Sequence, residues 1–329
     1  MTRVLRRAQA ALGVAVCGAA LLVAPAADAA PRPRSVLAAP GVRGAVAAAR
    51  PTTTVARRTP GDAGAPDAAL VVERVSLQGM GAHPVTAVAL PADLTPAAVG
   101  GADYLFPADT GDRRLAAVTM MPGFADSRAS VRWLAERLAS HGLIVQLVDP
   151  ASPVDPPVVR ARAFAQAQEL LLSASPVSGR VDPARTALWG YSMGGGGALQ
   201  AASTLPALRA VVAVFPWHAT PSFPTLTAPT LVVAGQADGV AVPAWYAQPI
   251  YASLTGSPDR AYAELAQARH PLPSHSTDAR LAEMSAAWLL THLTDARPAD
   301  GFLCPGPQVG VPVADTPGYS AYTATCPPR

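Results

Sequence analysis

The sequence predicts an α/β fold, a mostly parallel central sheet flanked by helices on both faces. Three observations lead there. Several short runs are apolar at nearly every position, the pattern of strands buried on both sides. Between them lie segments whose apolar residues recur at helical spacing. No internal repeat competes with this alternation, and 50% of the 329 residues are hydrophobic against 14% charged, enough for one large core.

The elements follow in order. Leu115–Met121 has no helical period and stops at Pro122-Gly123, so it reads as a buried strand. Asp126-Ser127 is placed to cap a helix with Val131, Leu134 and Leu138 on one face, and Gly142 suits its left-handed stop. Leu143–Val148 is a second buried strand. Next come a helix over about 158–172, a turn at Asp182-Pro183, a strand at Thr186–Trp189 and a helix over about 195–203. Ala210–Phe215, Thr230–Val233 and Arg260–Leu265 supply further strands. The last helix is expected over about 277–293, with Leu281, Met284, Trp288 and Leu289 at helical spacing.

The formal charge of +3 is unevenly spread. Residues 1–60 carry nine of the 25 basic residues, all arginine, and one acid, Asp28. The other residues carry 16 Arg against 21 acids, a net of −5, so no nucleic-acid partner is expected for the folded body. Arg3, Arg6 and Arg7 precede an apolar run from Ala8 to Val23, and Ala27-Asp28-Ala29 sets small residues where a leader is cut. Residues 1–29 therefore read as a secretory signal peptide, the run being short of the ~20 residues of a membrane span. Residues 30–66 read as a disordered Ala/Pro/Arg-rich linker or pro-segment, and 67–329 as the folded domain. The protein is thus expected to be secreted, with no membrane span after leader cleavage, and to be a monomer. Without the leader two cysteines remain, Cys304 and Cys326. An even pair in an exported protein reads as a disulfide, and closing this 22-residue loop contributes roughly 3 kcal/mol.

Gly190-Tyr191-Ser192-Met193-Gly194 is G-x-S-x-G between an expected strand and an expected helix. In that setting the two glycines permit a sharp turn that exposes the serine at the sheet edge, as in α/β-hydrolases. A serine hydroxyl needs a base, and the base needs an orienting carboxylate. Asp238, in the loop after Thr230–Val233, and His270, in the loop after Arg260–Leu265, follow Ser192 in the chain order that this fold uses. His275 is the rival base, and Asp259 and Asp278 are less suitably placed acids. His141 falls at a helix end, where a cation complements the dipole. An oxyanion needs backbone N–H donors. Met193 supplies one by position and Phe124, in Pro122-Gly-Phe-Ala125, is the candidate for the other. No metal or cofactor motif is present, so neither is expected.

Gly190–Gly197, Pro122-Gly-Phe-Ala125 and Phe215-Pro-Trp-His218 together resemble the secreted bacterial cutinases and polyester hydrolases, the group that includes poly(ethylene terephthalate) hydrolases. The resemblance extends through Trp133–Gly142 and Ala228–Val232 to Phe302-Leu-Cys-Pro305 and Thr325-Cys-Pro327, about residues 95–329. It implies an α/β-hydrolase with no lid domain and a shallow cleft. It implies Ser192, Asp238 and His270 as the triad and Phe124 and Met193 as the oxyanion hole. Phe124, Tyr191, Met193, Trp217 and Val240 would contact substrate. The implied activity is hydrolysis of esters, including cutin-like polymers, and the implied partner is an ester or polyester substrate. A narrower soluble esterase or lipase and a non-catalytic envelope binding protein are the other readings. Tyr191 departs from the family's usual His or Trp, Gln236–Gly239 from its Glu-Asn-Asp-Ser/Thr, and Pro271-Leu-Pro273 from its Phe-Ala-Pro.

Overall fold

The protein is described from a computed structural model, over residues 77–205, 207–271, 278–294, 300–311 and 317–325. In chain order the elements are β1 (Val85–Ala89), β2 (Val99–Pro107), β3 (Leu115–Met121), α1 (Arg132–Ser140), β4 (Ile144–Pro150), α2 (Pro157–Ser173), β5 (Val181–Tyr191), α3 (Met193–Ala202), β6 (Ala210–Val214), β7 (Thr230–Gly235), α4 (Ala247–Ser253), β8 (Arg260–Leu265), α5 (Ala279–Leu293), α6 (Asp300–Leu303) and β9 (Tyr319–Ala324).

The strands form one sheet in the order β1-β2-β4-β3-β5-β6-β7-β8-β9. The six strands from β4 to β8 are parallel, while β1 and β2 at one edge and β9 at the other pair antiparallel. The strand runs are apolar throughout because alternate residues feed two cores. Val118, Met120, Trp189, Val212 and Val233 pack with Leu134 and Leu138 of α1 and Met284 and Trp288 of α5. Leu188, Val211, Ala213 and Val232 pack on the other face with Phe164 of α2, Leu199 of α3 and Ile250 of α4. The second core holds a satisfied polar chain. Thr119 donates to Gln146 at 2.8 Å, and the Gln146 amide nitrogen donates to Tyr104 Oη and the Ala167 carbonyl at 3.1 Å each. All three side chains are buried, where an unpaired partner would cost about 1–3 kcal/mol.

Two local expectations differ. Neither Asp126 nor Ser127 caps α1 through its side chain, because a 3₁₀ turn at Arg128–Val131 leads into that helix. The expected turn at Asp182-Pro183 is a bulge inside β5: Leu115 faces Val181 but Ala117 faces Thr186, and the Asp182 carboxylate accepts from the Ala184 N–H. Gly142 ends α1 as expected, at φ +100°. The loops that follow β3, β4, β5, β6, β7 and β8 all leave the same carboxyl edge of the parallel strands, where open α/β sheets place their sites.

Candidate active site

Ser192 lies between the last residue of β5 and the first of α3. Its backbone angles, φ +56° and ψ −120°, fall where L-residues are strained by on the order of 1–3 kcal/mol. Backbone bonds hold it there. The Ser192 N–H donates to the Val214 carbonyl at 2.9 Å, and the Ser192 carbonyl accepts from Gly196 N–H and Trp217 N–H at 3.0 Å each. The bend leaves no space for a side chain on either side. A Cβ on Gly190 would lie 2.1 Å from the Gly194 carbonyl oxygen, and one on Gly194 would lie 2.4 Å from that of Pro122. The two glycines of the motif therefore follow from close backbone approach.

The hydroxyl of Ser192 is 2.9 Å from His270 Nε2, and His270 Nδ1 is 2.7 Å from Asp238 Oδ2. Asp238 is buried just past β7, and its Oδ1 accepts from Val240 N–H and Ala241 N–H at 2.8 Å each. With three donors on its oxygens, the carboxylate fixes the proton of the neutral imidazole on Nδ1 and leaves Nε2 as an acceptor toward the serine. The chain thus brings together residues 78 positions apart, Ser192 and His270, and 32 apart, Asp238 and His270.

The other candidates are placed elsewhere. Asp259 lies 3.5 Å from His292 Nε2, and burial raises its pKa above the usual carboxylate value. Asp278 caps α5 through the N–H groups of Arg280 and Leu281. His83 pairs with Asp109 at 2.8 Å. His141 ends α1 as the sequence suggests, but burial, together with Arg137 and His83, lowers its pKa against the favourable Gly79 carbonyl, so it does not serve as a standing cation. His275 lies outside the described residues.

Met193 is the first residue of α3, where a backbone N–H has no intrahelical acceptor. The loop after β3 comes close beside it: a Cβ on Gly123 would lie 2.9 Å from Ser192 Cβ, and Phe124 is the next residue. Arg160 of α2 fastens this loop from beneath. Its side chain is fully buried and donates to the carbonyls of Pro122 (3.1 Å), Gly123 (3.0 Å), Pro153 (2.7 Å) and Asp155 (2.7 Å). Burial lowers its pKa to about 10, with Asp155, Asp126 and Asp149 acting in the opposite direction.

Around the serine, Phe124 is 54% and Val240 58% exposed. Met193 and Trp217 are half-buried, and the Trp217 ring lies 5.9 Å from that of Tyr246. Tyr191 is buried, with its hydroxyl donating to the His270 carbonyl. Among the described residues no group of three or more His, Cys, Asp or Glu side chains is placed to hold a metal ion. The family model described as PET hydrolase-like matches residues 75–327.

The chain belongs to the PET hydrolase-like family.

Its curated relatives agree with that placement. A protein of Streptomyces coelicolor named bis(hydroxyethyl) terephthalate hydrolase is 37% identical over 228 residues, 69% of this chain and 71% of the relative. Cutinase est1 of Thermobifida alba is 36% identical over 230 residues, 69% of this chain and 75% of the relative. Cutinase 1 of Thermobifida cellulosilytica is 35% identical over 236 residues, 71% and 87% of the two chains. This PET hydrolase-like chain is a carboxylic-ester hydrolase.

Sequence reasoning gives no role in this PET hydrolase-like chain to Arg160, Phe215 or Trp245. Arg160 falls at i, i+3, i+4 and i+7 with Ala163, Phe164 and Ala167, so helical spacing alone puts it on the buried stripe of α2. Phe215, at φ +46°, sets its ring 6.3 Å from that of His270; the sequence shows it as a strand end and the start of Phe215-Pro-Trp-His218, not as a neighbour of the base. Trp245, 69% exposed in the loop that follows Asp238, carries no sequence signal.

Proposed function

We propose that this protein is a secreted serine esterase that cleaves polyesters, cutin-like polymers and poly(ethylene terephthalate) among them, as well as short-to-medium acyl esters. The observation that carries the reading is the unbroken hydrogen-bond chain from Ser192 Oγ through His270 to Asp238, built on a strained serine backbone.

Ser192 Oγ attacks the ester carbonyl as His270 Nε2 takes its proton, and Asp238 holds the resulting imidazolium. The oxyanion is met by the N–H groups of Met193 and Phe124, with the amino end of α3 adding its positive dipole. The tetrahedral intermediate expels the alcohol, which leaves with the proton from His270. Water, deprotonated by the same nitrogen, then releases the acid and restores the serine.

The polymer reading draws on exposed apolar side chains: Phe124, Val240 and Trp245 stand exposed on loops from the carboxyl edge, and Trp217, on the loop after β6, is half-buried. Exposed apolar side chains of this kind suit a flat apolar chain better than a small charged ester. Phe124, Met193, Trp217 and Val240 take the substrate contacts. Secretion rests on the leader pattern of residues 1–29, with 30–66 as linker and 67–329 as the catalytic domain. Among the described residues no helix is long and apolar enough to cross a membrane. Cys304 is disulfide-bonded, and Cys326 is the partner that the leader's removal leaves for it.

The test compares release of soluble acids from a polyester film with hydrolysis of bis(hydroxyethyl) terephthalate and p-nitrophenyl butyrate by the mature protein. Activity on all three is expected, and Ser192→Ala abolishes each. Turnover of the two small esters with none from film would reduce the activity to that of a narrow esterase.

A further inference from the structure

Tyr191 stands immediately before the nucleophile, at the end of β5, and only 6% of it is exposed. Its hydroxyl donates to the main-chain carbonyl of His270. Its ring lies 5.4 Å from the imidazole of His270, tilted by 31°, and 6.2 Å from Phe215 in an edge-on contact. On the other side it runs under the loop of Gly123: a Cβ there would lie 3.1 Å from both Cδ1 and Cε1 of the ring. One side chain therefore touches the base, the loop that carries the base, and the loop that carries Phe124.

The two ring nitrogens of His270 are oriented by Ser192 and Asp238, but those bonds fix only the imidazole. The base reaches the serine from five residues beyond the end of β8. Its separation from Ser192 thus depends on where the main chain of that loop is held. Tyr191 bonds to that main chain from a β5 residue that is itself rigidly paired, with Val214 opposite in β6. The Tyr191 hydroxyl thus links the nucleophile's own strand to the backbone of the base.

We propose that Tyr191 is a positioning residue that ties the His270 loop to the nucleophile's strand and so holds the imidazole in register with Ser192, in place of a substrate contact. The proposal rests on the reading of Ser192, His270 and Asp238 as the catalytic triad. The required atoms are a para-hydroxyl on a flat ring: the ring fills the gap that a glycine at 123 leaves, and the oxygen spans to the carbonyl.

The experiment replaces Tyr191 by Phe, which keeps the ring and removes the oxygen. Steady-state hydrolysis of p-nitrophenyl butyrate and the rate of inactivation by diisopropyl fluorophosphate are measured beside wild type, with a thermal melt to verify folding. A positioning role lowers kcat and the inactivation rate together by about tenfold with KM within about twofold, since sub-ångström misplacement of a base acts on the transition state. A substrate contact raises KM and leaves the inactivation rate unchanged, which overturns the proposal, as does an unaltered kcat. Ser192→Ala and His270→Ala separate the two levels. If both abolish turnover while Tyr191→Phe has wild-type kinetics, the tether is wrong and the triad stands. If Ser192→Ala retains activity, the triad reading falls and the tether with it. Should Tyr191→Phe not fold, Tyr191→His, a smaller ring without the hydroxyl, is read by the same criteria.

Discussion

The guanidinium of Arg160 donates to the carbonyl of Gly123 from beneath the candidate oxyanion loop, at 3.0 Å and out of contact with water. Its other donors take the carbonyls of Pro122, Pro153 and Asp155, so one side chain fastens the loops that follow β3 and β4 to α2. The planar fork of arginine suits this task, whereas an ammonium is a single compact charge.

Arg160→Met leaves four carbonyls without this donor, and even partial rearrangement of the loops costs about 3 kcal/mol of stability. Urea unfolding is expected to show that loss. Turnover of a soluble ester falls with it at temperatures where the variant is still folded. A variant of unchanged stability and activity would remove Arg160 from the account of the loop.

Gly123→Ala tests the packing of the same loop from above. The added methyl would meet Ser192 Cβ at 2.9 Å and the Tyr191 ring at 3.1 Å, and neither neighbour is free to withdraw. The expected outcome is a fall in kcat of at least about tenfold, because the displaced groups are the ones that must align. Wild-type kinetics in a folded Gly123→Ala protein would show that the loop yields without consequence.

Stability should depend on pH through two histidines, His218, which is buried, and His141, which is half-buried. Burial lowers the pKa of both His141 and His218 below the ordinary value of about 6.5. The unfolded chain then binds more protons than the folded one as pH falls through and below that value. Their contribution is therefore fully present above pH ~6.5 and lost as the pH drops toward the folded-state pKa values. Urea midpoints measured between pH 7.5 and 5 should decline across the lower part of that range, and His141→Gln should make the decline shallower. A flat profile would contradict the neutral state of both rings in the folded protein.

Trp245 offers the clearest separation of polymer from soluble substrate. It is the most exposed large apolar side chain among the described residues, in the loop that begins at Asp238. Trp245→Ala is expected to lower the ratio of film release to p-nitrophenyl butyrate turnover by about tenfold, the loss typical of an aromatic anchor. An unchanged ratio would assign the indole no part in engaging film.

Much of this architecture is legible in the sequence because the parallel strands are buried on both faces. β3, β4, β6, β7 and β8 are short apolar runs whose ends fall within two residues of the expected ones. The edges are not. β1 is mostly exposed, β2 is interrupted by Gly100-Gly101 and Asp103, and β9 is Tyr-Ser-Ala-Tyr-Thr-Ala, so none shows a continuous apolar run. α4 is short, with Pro249 inside it, and gives no periodic signal. At the site, Ser192, Asp238 and His270 are readable because strand ends and chain order constrain them. The partners of Tyr191 are not, because its hydroxyl reaches a main-chain carbonyl 79 residues away and any residue offers that acceptor. For Arg160 the helical spacing was available, but a charged residue is ordinarily assigned to the solvent face.

The central claim is that Ser192 is the nucleophile, and active-site labelling tests it most directly. The mature protein is treated with a fluorophosphonate, and the adduct is located by peptide mass spectrometry. The account predicts one phosphonyl group per chain, carried by Ser192, formed in step with loss of esterase activity, and absent from both Ser192→Ala and His270→Ala over the same period. Stoichiometric labelling of a different residue, or full ester turnover by Ser192→Ala, would contradict it.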